Sequence, residues 1–395
     1  MKSSRKFEQP GLGQQAVGMR HGLRCAGAGL SLVLSAGLVQ AQSQPAWQFG
    51  GVLDVAQSSH ALSQGGRDQG LQLGHSDLTA SGPLGANLKA QVTASAATHE
   101  GRLESGFEEA WLETTRMPGG LQMRVGRFAS QIGYLNQQHL HADDFVERPL
   151  LYRTMFGQHW NDDGLRLNWT APTPFYLMLG LEAMRGKGLV NAIEGSSPRV
   201  GATTLVLKTG ADLDRSHSWQ AGLSQVRNRR QALLELEHEE GHEEHAHEQA
   251  HAHGAALSGR KISMVDLTWK WAPQGNAKQQ QLRLGMEAAR ITQIHPSEGG
   301  QHSARAVSAV WRWTSQWEVG ARMDWLRARL VHEGAFESGK LAERALMLAY
   351  KPSHMQTVRL QYSTQGQAQG FDNPTRRALQ LQYVLGFGAH PAHAF

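Results

Sequence analysis

Apolar and polar side chains alternate along most of the chain, beginning near Trp47 and continuing almost to its end. In the segment 262–272, for example, Val265, Leu267 and Trp269 alternate with Asp266 and Thr268. A period of two residues is typical of a β-strand with one wet face and one apolar face. The pattern predicts sixteen strands, at 47–56, 70–81, 86–97, 106–116, 120–128, 163–170, 174–184, 199–208, 217–227, 262–272, 280–291, 303–314, 317–328, 341–350, 356–365 and 376–387.

The connections between these segments alternate in length. Short turns such as GPLG at 82–85 follow the even-numbered segments, and longer loops follow the odd-numbered ones, with the longest at 129–162 and 228–261. Transmembrane β-barrels have short periplasmic turns and long outer loops. Tryptophans recur near the predicted short-turn ends, as in an aromatic girdle at the membrane surface; they are Trp47, Trp169, Trp219, Trp269, Trp271, Trp311, Trp313 and Trp317. In a soluble sandwich the same residues would form the core.

The sequence therefore predicts an all-β fold, a transmembrane antiparallel β-barrel of about sixteen strands over residues 42–395. Only a closed barrel satisfies every strand hydrogen bond in lipid, and sixteen strands enclose a lumen wide enough for water. The strands and loops use nearly all of 42–395, which leaves no room for a separate plug domain.

The first 41 residues are predicted to be a signal peptide. A weakly apolar run at 26–39 follows Arg20 and Arg24 and ends near Val39-Gln40-Ala41, which fits cleavage after Ala41. The alternative is a buried helix, and translation can begin at Met1 or at Met19. Cleavage would remove Cys25, the single cysteine, and so exclude disulfides and thiolate metal sites. We expect a bacterial outer-membrane location.

The formal net charge of +5 arises mostly in the predicted signal peptide. Residues 1–41 hold five basic residues and one acidic residue, so the remainder carries 34 basic and 33 acidic residues. A nearly neutral mature chain gives no indication of nucleic-acid binding. No nucleophile elbow, zinc-protease motif or phosphate loop occurs, so we predict that the protein is not an enzyme.

The loop at 129–162 is predicted to fold into the lumen and narrow it, because it is long and rich in apolar residues. It brings together His139, His141, Asp143 and Asp144, which are imidazole and carboxylate groups able to bind a divalent metal or to attract cations. The alternative is ordinary loop packing with hydrogen-bonded polar groups.

The loop at 228–261 contains a His-rich tract, LEHEEGHEEHAHEQAHAHG. Neutral imidazoles suit Zn²⁺ and similar ions, and the histidines concerned are His238, His242, His245, His247, His251 and His253. Their irregular spacing indicates a flexible chelating tract rather than a preformed site; the alternative is a solvated acidic loop. We expect no required cofactor, and Zn²⁺ or another divalent ion as the ligand.

Charged residues on the polar face of the predicted strands are expected to line the pore. They are Lys89, Arg124, Arg166, Lys270, Arg283, Arg312, Arg322, Arg359, Asp266, Glu318 and Asp324. A lumen lined by both signs orients passing solutes, although such groups also pair with one another.

Residues 126–169 resemble a stretch of the bacterial outer-membrane proteins often labelled zinc-regulated outer-membrane receptors, whose layout is similar to that of phosphate-selective porins. The shared positions include Gly126, Gly133, Asn136, His139 and His141. The resemblance extends to a His-rich outer loop and a His-containing end, and it implies an involvement with divalent metal. We expect a porin-like channel for passive passage of small solutes, including zinc; the alternative is a non-conducting metal-binding surface protein or receptor. The expected partners are outer-membrane lipid, solutes or metal ions, and two further copies of the chain in a homotrimer.

Overall fold

The computed structural model describes residues 47–190, 199–230, 255–294, 299–332, 335–371 and 375–389. The predicted signal peptide and all six histidines of the His-rich tract lie outside these residues. Among the described residues, a short α-helix, α1, spans Leu150–Met155. Short 3₁₀ turns occur at Pro118–Gly120, Leu135–Gln137, Leu140–Ala142, Lys187–Leu189 and Pro273–Gly275. None of the helices in these ranges has the length and apolar character needed to span a membrane.

The described residues contain seventeen strand segments, and together they form one sheet. In chain order they are β1 Gln48–Ser58, β2 Gly70–Leu73, β3 Ser76–Leu84, β4 Leu88–His99, β5 Arg102–Thr114, β6 Leu121–Ala129, β7 Asn161–Thr170, β8 Tyr176–Met184, β9 Ala202–Asp212, β10 His217–Asn228, β11 Lys261–Trp271, β12 Gln281–Thr292, β13 Gln301–Arg312, β14 Trp317–His332, β15 Ala335–Ser353, β16 Gln356–Gln369 and β17 Arg377–Gly388.

Each segment pairs antiparallel with its neighbours, and β17 pairs with β1 to close the sheet. Segments β2 and β3 both pair with β1, one along Val55–Ser58 and the other along Gln48–Val52, so together they occupy one place in the wall. The result is a closed sixteen-stranded antiparallel barrel, and the predicted fold class is confirmed.

All sixteen predicted strands are present, but two predicted long loops are shorter than expected. Residues 98–105 form the ends of β4 and β5 around a turn at Glu100–Gly101, where both residues have positive φ. The segments β14 and β15 extend well past their predicted ends at 328 and 341. A mixture of polar and apolar residues, as in Arg329↔Ser338 and Val331↔Phe336, continues the strand pairing there.

The two faces of the wall differ as the alternation predicts. Apolar side chains on the outer face are exposed because only lipid would cover them; they include Leu78, Leu165, Leu205, Leu223, Leu346 and Leu379. At the short-turn end, Trp313 lies between Trp311 and Trp317, and the ring of Trp317 is 4.7 Å from that of Tyr350. An apolar belt bounded by amphipathic rings matches the bilayer and its interface, and the barrel belongs in the outer membrane.

The inner face is mostly polar, with a small buried apolar group of Val310, Ala345, Met347 and Ala349 toward the short turns and a larger one near the long loops. The larger buried apolar group lies in the long-loop half, where its wall members come from strands between β5 and β15 and include Met184, Ile262, Met264, Ile291 and Leu326. These side chains face residues of the loop between β6 and β7. The wall is therefore packed against this loop along strands between β5 and β15.

Candidate functional site

The loop between β6 and β7, residues 130–160, lies inside the barrel and is called the inward loop below. Its apolar side chains Leu150, Leu151, Tyr152 and Phe156 are almost fully buried and pack against the apolar wall group. The Tyr152 ring is tilted against the Phe156 ring, and the Phe156 ring is stacked with that of Trp160. Burial of this many large side chains holds the loop in one place.

One end of the inward loop is anchored by hydrogen bonds with wall residues. The carboxylate of Glu287 accepts bonds from the Tyr134 N–H at 2.7 Å and from the Tyr152 hydroxyl at 2.5 Å. The Lys208 ammonium donates to the Gly133 carbonyl at 2.8 Å. Glu182 accepts from the Ser130 hydroxyl at 2.6 Å. These contacts fix the bend at which the chain enters the lumen.

The middle of the inward loop is held from the opposite wall by arginines. Arg153 pairs with Glu343 on β15 at 2.7 Å, and Arg359 on β16 donates to the Asp143 carbonyl at 2.8 Å. Arg322 on β14 donates to the carbonyl of Glu147. Buried charges persist only where they are paired or hydrogen-bonded, so the loop and the wall satisfy each other.

Several residues predicted to line the pore make these loop contacts. Arg322 and Arg359 bind loop carbonyls, and Arg283 pairs with Asp144. Lys270 lies over the Tyr134 ring at 5.8 Å from the ring centre.

The remaining predicted lining residues make contacts along the wall. Arg124 bonds Glu113 at 2.7 Å, Arg166 bonds Glu182 at 2.8 Å, and Arg312 bonds Glu318 at 2.7 Å. Asp324 pairs with Arg322 at 2.8 Å. Lys89 lies near the Trp111 ring, and Asp266 is buried on β11.

A second group of side chains joins the inward loop to the wall near β3. His139 and His141 of the loop meet His75 and Asp77 of the wall, and one ligand atom from each lies within 4.8 Å of all the others. We call these four residues the histidine–aspartate cluster. A carboxylate oxygen of Asp77 lies 3.0 Å from Nδ1 of His139 and 3.2 Å from Nδ1 of His141.

Two adjacent wall carboxylates, Glu108 and Glu109, surround this cluster. Glu108 lies 2.9 Å from Nε2 of His75 and 2.6 Å from Nδ1 of His159, while Glu109 lies 3.5 Å from Nε2 of His139. Both glutamates are buried. Imidazole and carboxylate are the ligands that divalent transition metals take, so this arrangement can hold such an ion.

Two β-bulges explain how the wall supplies these ligands. Along β1 the pairing passes from Val55↔Leu73 on β2 to Val52↔Asp77 on β3. Three residues between β2 and β3, with His75 in the middle, therefore lie opposite two residues of β1. In β5 the pairing passes from Thr93↔Glu109 to Ala94↔Phe107, so Glu108 is extra. A bulge re-aims side chains, and here it lets two consecutive glutamates face the interior.

The structure therefore brings His139 and His141 together but separates them from Asp143 and Asp144. Asp143 pairs with Arg148 at 2.6 Å inside the loop, and Asp144 pairs with Arg283. Each aspartate has a guanidinium partner in the structure, and its role as a metal ligand stays a prediction. The sequence analysis missed His75, Asp77, Glu108 and Glu109. The pair Glu108-Glu109 was the available signal, since strict alternation would turn one of the two carboxylates toward lipid.

Burial and charge act oppositely on the loop histidines. For His139, burial lowers the pKa, but Glu108 and hydrogen bonds with Asp77 and Glu109 raise it more, so the pKa lies well above its ordinary value. For His141 and His159, burial prevails and lowers the pKa. The carboxylates thus favour a positive charge at His139, whereas burial favours neutral imidazoles at His141 and His159.

Cavities lie on both sides of the inward loop. One of about 690 Å³ opens among the outer ends of β2 to β5 and is lined by His75, Glu108, His159 and Asp162 among others. Another of about 580 Å³ lies near the short turns and is lined by Gln138, Tyr176 and Lys208 among others. A third, of about 270 Å³, borders Asp144, Arg283 and Lys351.

Comparison with known proteins supports the fold and leaves the family open. No protein-family model matches the chain. An uncharacterized protein of Aquifex aeolicus is 28% identical over 321 residues, which cover 74% of this chain and 64% of that relative. The chain thus spans less than two thirds of the relative's length.

Solved structures with a similar fold are outer-membrane proteins. The outer-membrane channel DcaP of Acinetobacter baumannii has a TM-score of 0.54 at 10% identity, covering 88% of this chain and 99% of DcaP. An anion-selective porin from Comamonas acidovorans has a TM-score of 0.52 at 12% identity, covering 87% and 100%. The trimer form of OmpT from Vibrio cholerae has 0.54 at 11% identity, covering 87% and 100%. By its fold, the chain is an outer-membrane β-barrel of the type that these proteins share.

Proposed function

We propose that this protein is a porin-like channel through which small solutes, divalent metal ions among them, cross the outer membrane by diffusion. The observation that carries the proposal is the divided interior of the barrel. Cavities of about 690 Å³ and 580 Å³ lie on the two sides of the inward loop, and a third of about 270 Å³ is lined by charged wall residues that include Arg283, Arg312 and Lys351. The inward loop then acts as the constriction of the channel.

Two groups of metal-binding side chains support a divalent metal ion as a transported solute. The His-rich tract at 235–253 offers six imidazoles among glutamates, which would concentrate zinc at the outer mouth. The histidine–aspartate cluster lies beside the cavity nearest that mouth. The resemblance to zinc-regulated outer-membrane receptors agrees with this cargo. Diffusion through the barrel needs no catalysis, so the proposed function is not enzymatic. A homotrimer, as in the trimer form of OmpT, is part of the proposal.

The second candidate is a barrel whose lumen is blocked, so that it binds metal without conducting. The apolar packing of Leu150, Tyr152 and Phe156 favours it, because this packing against strands between β5 and β15 fills much of the outer half of the barrel. The inward loop therefore decides between the two candidates.

Planar-bilayer recording of the purified barrel, with and without residues 134–160, tests the proposal. A channel gives steady ion currents in the full-length protein and larger currents in the deletion variant. Heat-modifiable migration in gel electrophoresis shows that both barrels are closed. A folded deletion variant without steady conductance would exclude the channel and leave the second candidate.

A further inference from the structure

We propose that His75, Asp77, His139 and His141 form a binding site for one divalent transition-metal ion of the Zn²⁺ class, and that the bound ion fastens the inward loop to the barrel wall. The site is separate from the His-rich tract, and the inference does not depend on whether the barrel conducts.

The distances fit tetrahedral coordination. With metal–ligand bonds of about 2.0–2.1 Å, neighbouring ligand atoms of a tetrahedral site lie about 3.3 Å apart. Asp77 is already 3.0 Å and 3.2 Å from the nitrogens of His139 and His141. The ligand atoms lie at most 4.8 Å apart, so side-chain movements that shorten the longest separation by about 1.5 Å close the site. Three imidazoles and one carboxylate are a donor set that suits zinc.

The charges around the cluster call for a cation. Asp77, Glu108 and Glu109 are all buried, and within the described part of the chain their ion pairs are with histidines only. Burying a carboxylate is costly unless a positive charge compensates it. A divalent ion would compensate two of these three charges at once.

The outer contacts of the histidines have the form expected around a metal site. A ligating imidazole usually presents its second nitrogen to a carboxylate, which fixes the orientation of the ring. His139 has Asp77 beside Nδ1 and Glu109 beside Nε2, at 3.0 Å and 3.5 Å. Glu109 is itself held by Gln91, which donates a bond of 2.6 Å. The carboxylate of Glu108 likewise lies beside a ring nitrogen of His75 and one of His159.

The ligands divide evenly between loop and wall, which gives the bound ion a mechanical role. His139 and His141 belong to the inward loop, whereas His75 and Asp77 border the bulge between β2 and β3. Along β2 to β4 the loop is otherwise joined to the wall by polar contacts, because the buried wall members of its apolar packing belong to β5 to β15. An ion held by both partners therefore limits the motion of the loop.

The test uses the full barrel, purified without a polyhistidine tag, in which the six histidines of the His-rich tract are replaced by alanine. Titration with Co²⁺ and Zn²⁺ alone should show one tight equivalent, with the visible absorbance of tetrahedral cobalt. Adding His75→Ala and His141→Ala should weaken binding at least a hundredfold and remove that absorbance. Asp77→Asn should weaken it less. The matched control is His302→Ala, which removes a buried histidine on β13 that bonds the Arg329 N–H outside the cluster.

Hydrogen exchange of the loop amides at 134–142 measures the fastening. Zinc should slow this exchange in the parent protein and in the His302→Ala control but not in the double variant. Absence of tight binding in the parent, or equal binding in the parent and the double variant, would overturn the site. Tight binding that leaves loop exchange unchanged would overturn the fastening.

Discussion

Removing Glu287 should release the inward loop without opening the barrel. Its carboxylate accepts hydrogen bonds from the Tyr134 and Leu135 N–H groups and from the Tyr152 hydroxyl, at 2.7, 3.4 and 2.5 Å. Hydrogen bonds to a charged group each contribute about 1.5–3 kcal/mol. Because the 3.4 Å bond is weak, we expect Glu287→Ala to weaken loop docking by about 4 kcal/mol. That change raises the undocked population by roughly a thousandfold.

Current recording in planar bilayers should show this release as frequent excursions to higher conductance, and limited proteolysis should cut within 134–160. Glu287→Gln keeps an acceptor oxygen and should have a smaller effect. The matched control is Glu113→Ala, which removes a wall carboxylate that bonds Arg124 on the neighbouring strand. If Glu287→Ala forms a folded barrel but shows no more conductance excursions and no more proteolysis than Glu113→Ala, Glu287 does not anchor the inward loop.

Three further variants test other parts of the structure. Gly133→Ala should loosen the inward loop and raise current noise, because φ is +64° there and an added Cβ would overlap the Tyr152 hydroxyl. Gly106→Ala is the matched control, because an added Cβ there meets no atom within 4 Å. Replacing the six histidines at 238–253 by alanine should leave folding intact and reduce zinc capture at limiting zinc, as measured by metal content of whole cells. Leu346→Arg, on the lipid face, should cost about 2–4 kcal/mol in a urea unfolding titration, whereas Leu103→Arg, near the outer turn, should cost at most about 1 kcal/mol. Equal costs for these two leucines would argue against the placement of the membrane belt.

The fold could be predicted from the sequence because a barrel wall has a simple repeating pattern. In β11, for instance, Val265 and Leu267 face lipid while Asp266 and Thr268 are buried inside, as the alternation requires. Strand ends were less predictable, because backbone pairing outside the membrane does not require the alternating pattern. The extensions of β14 and β15 are such cases.

The candidate site could be predicted only in part. His139 and His141 stood out because they are close together in an unusually long loop. Their wall partners were not predictable by alternation, because Glu108 and His75 lie where that rule is broken by a bulge. Asp143 looked like a ligand in sequence, but Arg148, five residues later, takes its carboxylate. Which carboxylates are already neutralised depends on contacts that only the folded chain defines.

The bulge in β5 also has an evolutionary consequence. A one-residue insertion normally turns every following side chain of a strand to the opposite face, but here the pairing register resumes within one step on either side of Glu108. A single inserted codon is therefore enough to add a second carboxylate to the interior, and a single deletion removes it, with the rest of the wall unchanged. Among descendants of one barrel, the capacity to hold cations could thus be gained or lost at this one position without rebuilding the scaffold.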